Sequence, residues 1–246
     1  MFGRITPWRV IKWLVRFVFL TLVACAVVFL GWRAVSHNTD PDEMSMLVAD
    51  EALTEAYATH GKALELYTQE QGTYTRAERN NGYFFLRQAV VIPQAEQIQI
   101  LFRYNNSTIK ALTEDYGLTK IPDRAERLYD LTIVIKKDLT PDIQDDYDQE
   151  GCYTLERYYP SQEISGTRNL YNYRKAVFND IVIDETTLGV FVDIYYVGDI
   201  DYDKPAYGTL CIWDFTSENL RVKLTQKDIE ALTSKKRPVT IAGSEQ

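Results

Sequence analysis

Hydrophobic and polar residues follow three successive patterns along this chain. From Phe17 to Trp32 no charge interrupts an apolar run. Such a run predicts a membrane-spanning helix, because a backbone in hydrocarbon must satisfy its own hydrogen bonds. Trp13 and Trp32 sit where interfacial aromatics are favoured, and Lys12, Arg16 and Arg33 can snorkel to the headgroups. Arg4, Arg9, Lys12 and Arg16 precede the run; after Arg33 the next charges are Asp40, Asp42 and Glu43. This asymmetry assigns residues 1–16 to the cytoplasm, residues 17–36 to the membrane and the rest to the outside. Two rival readings compete with an uncleaved anchor. Ala34-Val35-Ser36 resembles a signal-peptide cleavage site, but the run is long for a signal and Arg33 adjoins the site. Leu22-Val23-Ala24-Cys25 resembles a lipidation site, but apolar residues come after it, so Cys25 reads as a small residue within the helix.

The second pattern has a helical period. Asp40-Pro41-Asp42-Glu43 combines an N-cap, a first-turn proline and a capping-box acid. Met46, Ala49, Leu53, Ala56, His60, Leu64 and Tyr67 then recur at three- and four-residue steps. The expectation is one amphipathic helix over residues 41–70, within a connector region of 37–82. Its stripe either packs on the same chain or pairs with a second copy. Its alanines and histidine make it thin for a coiled coil, which favours the first reading.

The third pattern, over residues 83–246, alternates with period two. Strands are expected at Tyr83–Ile92, Glu96–Tyr104, Arg127–Lys137, Cys152–Tyr159, Leu170–Ile183, Leu188–Val197 and Tyr207–Phe215. In the second, Ile98, Ile100, Phe102 and Tyr104 face a core, while Gln97, Gln99, Leu101 and Arg103 face water. Tyr129, Leu131, Ile133 and Ile135 point inward, as do Leu188, Val190, Val192, Ile194 and Tyr196. Residues 108–116 fit a short helix or a strand. Thr225-Gln226-Lys227-Asp228 opens a last helix, reaching about Ser234. With no βαβ alternation, the expected class is mainly β: an antiparallel two-sheet sandwich or open barrel on a membrane helix.

Composition narrows the partners. The net charge of −8 understates the acidity of the outer part, since the basic tail lies inside. That argues against nucleic acid and against anionic lipid surfaces. Of the three cysteines, Cys152 and Cys211 lie outside the apolar run, and an oxidising compartment would allow them to pair. Alternation turns Cys211 inward beside Trp213 and Phe215.

Chemistry is bounded by scarcity. The only histidines are His37 and His60, both before the β region, which therefore holds no Ser-His-Asp, Cys-His or histidine–zinc site of its own. Two acidic runs stand out. Asp146, Asp148 and Glu150 alternate before Gly151, like the first half of a calcium loop, but Arg157 takes the twelfth position. Asp199, Asp201 and Asp203 repeat that spacing, with Lys204 where the glycine belongs. Calcium is thus the one metal the spacing suggests, against solvated acidic turns. No other cofactor is expected. The leading expectation is a non-enzymatic binding or assembly module of the cell envelope, with a protein partner or a second copy met through the 41–70 helix. The alternatives are a glycan- or peptide-binding sandwich using Tyr158, Tyr159, Tyr171 and Tyr173, and a hydrolase using paired carboxylates from the two acidic runs.

Overall fold

The computed structural model describes residues 7–38, 40–68, 85–123, 126–138, 153–168, 170–184, 186–202, 206–214 and 220–233. The chain divides into two compact units, Met1–Pro41 and Asp42–Gln246.

The first unit is the helix α1 (Pro7–Asn38). Its segment Ile11–Val35 has a mean hydropathy of 2.5 in its most apolar window, and none of that window is buried. At about 1.5 Å per residue these 25 residues reach about 37 Å, enough for a hydrocarbon core of about 30 Å. The uncharged run alone is shorter; helical flanks supply the rest.

The second unit is mainly antiparallel β. It opens with α2 (Asp42–Ser45), a non-helical run to Asp50, α3 (Glu51–His60) and β1 (Leu66–Thr68). The expected continuous helix over 41–70 is therefore corrected to two helices and a strand. Asp50, not Asp40, caps the longer helix, its carboxylate accepting the Leu53 N–H at 3.0 Å. Gly61, at φ 54°, ends it, and glycine takes that conformation at little cost. Leu53, Ala56 and Leu64 of the expected stripe are buried in the body, whereas His60 is exposed.

Next come β2 (Phe85–Ile92), β3 (Gln97–Asn105) and α4 (Asn106–Asp115). The ambiguous 108–116 segment is thus helical. Asn105 caps it in a reciprocal box with Thr108. Then follow β4 (Tyr129–Asp138), β5 (Tyr153–Tyr158), β6 (Gln162–Arg168), β7 (Tyr171–Phe178), β8 (Thr187–Tyr196), β9 (Gly208–Asp214), β10 (Leu220–Val222) and α5 (Gln226–Thr233). Strands β6 and β10 are not anticipated by the sequence pattern.

The strands form two sheets. Sheet A has the order β10-β1-β2-β3-β7-β6 and sheet B the order β5-β4-β8-β9. One apolar core joins them. Ala89, Ile98, Ile100, Phe102 and Phe178 of sheet A cluster with Leu131, Ile133, Ile135, Val190, Val192 and Leu210 of sheet B. Tyr104 of β3 meets Tyr129 of β4 edge-on, ring centroids 5.1 Å apart.

Two bulges in sheet B redirect side chains. Lys136 pairs with Gly189 but Lys137 with Thr187, leaving Leu188 as the extra residue. Leu188 is consequently exposed, not inward as expected. Val190 pairs with Trp213 but Phe191 with Cys211, so Ile212 is extra on β9. Leu210, Ile212 and Trp213 belong to the inter-sheet core, while Cys211 is buried opposite Phe191, on the other face from Leu210. The expected alignment of Cys211 with Trp213 fails for this reason. Cys152 and Phe215 lie outside the described residues.

The largest departure from the expected pattern is in β3, which is buried on both faces. Gln97, Gln99, Leu101 and Arg103 are each no more than 2% exposed, where alternation predicts a wet face. Residues 42–50 cover that face.

Candidate functional site

Of the acidic runs, Asp146, Asp148, Glu150 and Asp203 lie outside the described residues. Asp199 ends an exposed turn, Val197–Asp199, and Asp201 is half-buried. Among the described residues no three His, Cys, Asp or Glu side chains are grouped to hold a metal ion. The four tyrosines expected to form a binding patch separate. Tyr173 is buried on the outer face of sheet A, and Tyr171 stacks under the Arg103 guanidinium, 4.3 Å from its ring centroid. Tyr158 packs toward the inter-sheet core and donates to Glu156 at 2.8 Å. Burial and that bond raise its phenol to about 12. Of the four, Tyr159 is well exposed, at 52%.

Tyr159 instead joins residues that sequence reasoning did not single out. On β4 the core-facing positions are Tyr129, Leu131, Ile133 and Ile135, so Asp130 and Thr132 face outward. Asp193 and Tyr195 of β8 pair with Thr132 and Asp130 on the same outer face. Arg157 of β5 reaches across them. Its Nη1 donates to Thr132 Oγ1 at 3.1 Å, to Asp193 Oδ2 at 3.3 Å and to Tyr195 Oη at 2.8 Å. Asp193 takes a further bond at 2.6 Å from the Thr209 hydroxyl on β9. One guanidinium thus stitches β5 to β8 above the Thr132 side chain.

Three aromatic rings pack around this cross-link. Tyr195 and Tyr202 meet edge-on at 5.1 Å, and Tyr202 and Tyr159 edge-on at 5.4 Å. The Arg157 guanidinium lies 5.6 Å from the Tyr195 ring and 5.4 Å from the Tyr202 ring. Such geometry suits cation–π attraction, worth about 0.5–1 kcal/mol at an exposed site. Tyr202 donates to Asp130 Oδ2 at 3.3 Å, and Asp130 Oδ1 accepts from Arg127 at 2.6 Å. Arg127 also holds Glu163 of β6 at 2.9 Å, so the network crosses the seam between the sheets.

The electrostatics follow from these neighbours. Burial and the Asp130 charge raise the Tyr202 phenol. Burial and then the Asp193 charge raise that of Tyr195, against the pull of Arg157. Burial raises the Glu163 carboxyl, opposed by Arg127. All three groups serve as hydrogen-bonding partners within the network. The surface therefore combines a half-exposed ring, two supporting rings and carboxylates held by arginines. It can stack on the apolar face of a ring and accept hydrogen bonds from hydroxyls.

Sequence patterning carries a signal for this site: Asp130, Thr132 and Asp193 alternate with core positions. The convergence of Tyr159 and Tyr202 on them depends on chain reversals that alternation does not encode. No protein-family model, no curated protein and no solved structure matches the chain.

Proposed function

We propose that this chain is a single-pass envelope protein that displays a sandwich-like binding module on the outer side of the membrane. Support for the placement comes from the exposed apolar helix and from the basic residues gathered on its N-terminal side. In this reading α1 anchors the module and the outer face of sheet B binds. The observation that carries it is the half-exposed Tyr159, held edge-on by Tyr202 over an arginine–carboxylate network. A saccharide ring is the ligand class this surface fits. Its C–H face stacks on tyrosine, and its hydroxyls donate to the remaining lone pairs of the partly exposed Asp193.

The test uses the full-length protein in lipid nanodiscs against a glycan array, followed by calorimetric titration of the hits. Saturable binding of a saccharide that weakens by about tenfold or more in Tyr159→Ala, with unfolding unchanged, is the expected result. Binding that is indifferent to Tyr159→Ala and Tyr202→Ala would move the ligand surface elsewhere. No saccharide binding at all would overturn the reading.

A further inference from the structure

The outer face of sheet A carries buried polar chemistry that the sheet B site does not use. The residues that bury it are the strap, Asp42 to Asp50. Gln99 of β3 grips the strap main chain with both ends of its amide. Its Oε1 accepts from the Val48 N–H at 2.8 Å and its Nε2 donates to the Val48 carbonyl at 2.9 Å. Lys175 of β7 donates from Nζ to the carbonyls of Met44 and Met46. Asp228 of α5 accepts the Leu47 N–H at 2.9 Å. Three separate elements thus converge on the main chain of residues 44–48.

Strap side chains are also held: Leu47 is buried with Leu53, Val90 and Leu232, and Asp42 pairs with Lys227 of α5 at 3.1 Å. The Asp50 carboxylate takes hydrogen bonds from Gln97 Nε2, at 2.9 and 2.8 Å, and from Asn179 Nδ2 at 2.9 Å. Met44 packs with Leu101 and Tyr173. It also lies over Gly166, where an added Cβ would stand 3.5 Å from its Sδ. The amide of Gln97 is itself oriented, because its Oε1 accepts from Gln99 at 2.7 Å.

A roof that only excluded water would be served by apolar residues. Burying two glutamine amides and an ammonium costs several kcal/mol unless each is matched. Here each is matched by a strap peptide group or by Asp50, and the Gln97 amide also by Gln99 and Asn179. This complementarity to a peptide backbone, with two apolar side chains, Met44 and Leu47, and the acidic Asp50 at fixed places, is what a peptide-recognition surface presents.

We propose that the outer face of sheet A is a peptide-binding groove occupied in cis by residues 42–50. Its ligand class is a short segment read through its main chain, with an unbranched apolar residue six positions and a leucine three positions before an aspartate. The strap begins four residues after the last residue of α1, so the cis ligand is continuous with the membrane helix in sequence. Leaving of the strap frees the groove for a trans peptide of the same pattern.

The test uses full-length protein in nanodiscs, with Met44→Asp to eject the strap while leaving every groove residue intact. The probe is a labelled synthetic peptide spanning residues 42–50. In wild type the Leu47 and Val48 amides exchange slowly with solvent hydrogen and the peptide binds weakly. In Met44→Asp those two amides exchange freely, β4 and β8 keep their protection, and the peptide binds at least about tenfold more tightly. Adding Gln99→Ala abolishes that gain. If Met44→Asp leaves the strap protected, Leu47→Asp takes its place, and a strap that neither substitution opens overturns the proposal. So does an opened groove that ignores the peptide, or a parallel loss of protection in β4 and β8, which would make the strap an inseparable part of the core.

Discussion

The outer faces of the two sheets make an instructive pair. Both alternate polar residues with core positions, and both carry tyrosines and a cation. On sheet A the polar residues are dry, because the strap bonds to Gln97, Gln99 and Lys175. On sheet B, Arg157, Tyr159 and Tyr202 roof the face themselves and remain partly open to water. The same local pattern thus gives a sealed face or an accessible one, according to whether a distant segment returns to cover it. Sealing makes the polar groups of sheet A matter for stability. On sheet B, Thr132, Asp130 and Tyr195 are buried beneath the roof, and the roof residues Arg157, Tyr159 and Tyr202, with the partly exposed Asp193, are left available to a ligand.

The sharpest way to break this contrast is to remove one partner from the sealed face. Asp228 accepts from the Leu47 N–H, from the Thr225 N–H at 3.0 Å and from the Thr225 hydroxyl at 2.5 Å. Asp228→Ala therefore orphans a strap amide and opens the capping box of α5. Each buried donor left unmatched costs about 1–3 kcal/mol, so a loss of about 3–4 kcal/mol is expected in denaturant unfolding. A loss below about 1 kcal/mol would mean that the strap contributes little to the seal.

Protonation gives the second test. Lys175 is 1% exposed, and burial lowers its ammonium to about 8, against the opposing pull of Asp228. Between about 8 and its ordinary value of 10.5, the unfolded chain binds the proton more tightly than the folded one. Stability must therefore rise with pH across that window, by up to roughly 3 kcal/mol. The rise is best read below about pH 10, before the phenols raised by folding begin to oppose it. Lys175→Met should flatten the slope. A wild-type profile already flat from about pH 8 to about pH 10 would show an ammonium in contact with water, and hence a strap that is open in solution.

These two faces also mark how far the sequence could be read. Period-two alternation was sufficient for most of the core sides of β3, β4 and β8, since one face of each strand packs into the single inter-sheet core where Ile98, Ile133 and Val192 meet. It failed for Leu188 and Cys211, where one extra residue in the ladder reverses the facing of the positions beside it. The 41–70 helix failed for a different reason. Its three- and four-residue spacing is real, but Met46 to Ala49 are held by sheet A in a non-helical run, and Asp50 starts a new helix. Propensity yields there to long-range hydrogen bonds. The capping box at Thr225 was legible because all its partners lie within four residues. The strap groove was not, because Gln99, Lys175 and Asp228 come from three distant segments.

On the open face the expected stability effects are smaller. Arg157→Ala removes bonds to Thr132, Asp193 and Tyr195, but its side chain is 26% exposed and water can replace it. A loss of about 1–2 kcal/mol is expected. Arg157→Lys should recover only part of it, since one ammonium cannot reproduce the planar guanidinium over the Tyr195 and Tyr202 rings. A loss matching that of Asp228→Ala would erase the distinction between the two faces.

The smallest stability effect belongs to the residue closest to the proposed ligand. Tyr159 is 52% exposed, and its ring meets that of Tyr202 edge-on. An aromatic pair is worth about 0.5–1.5 kcal/mol when packed, and less where water reaches both rings. Tyr159→Ala should therefore shift unfolding by less than about 0.5 kcal/mol while weakening saccharide binding by about tenfold or more. Stability and binding would then be carried by different side chains on one face. A stability loss above about 2 kcal/mol would instead make Tyr159 part of the roof, and the open face of sheet B would be a second sealed one.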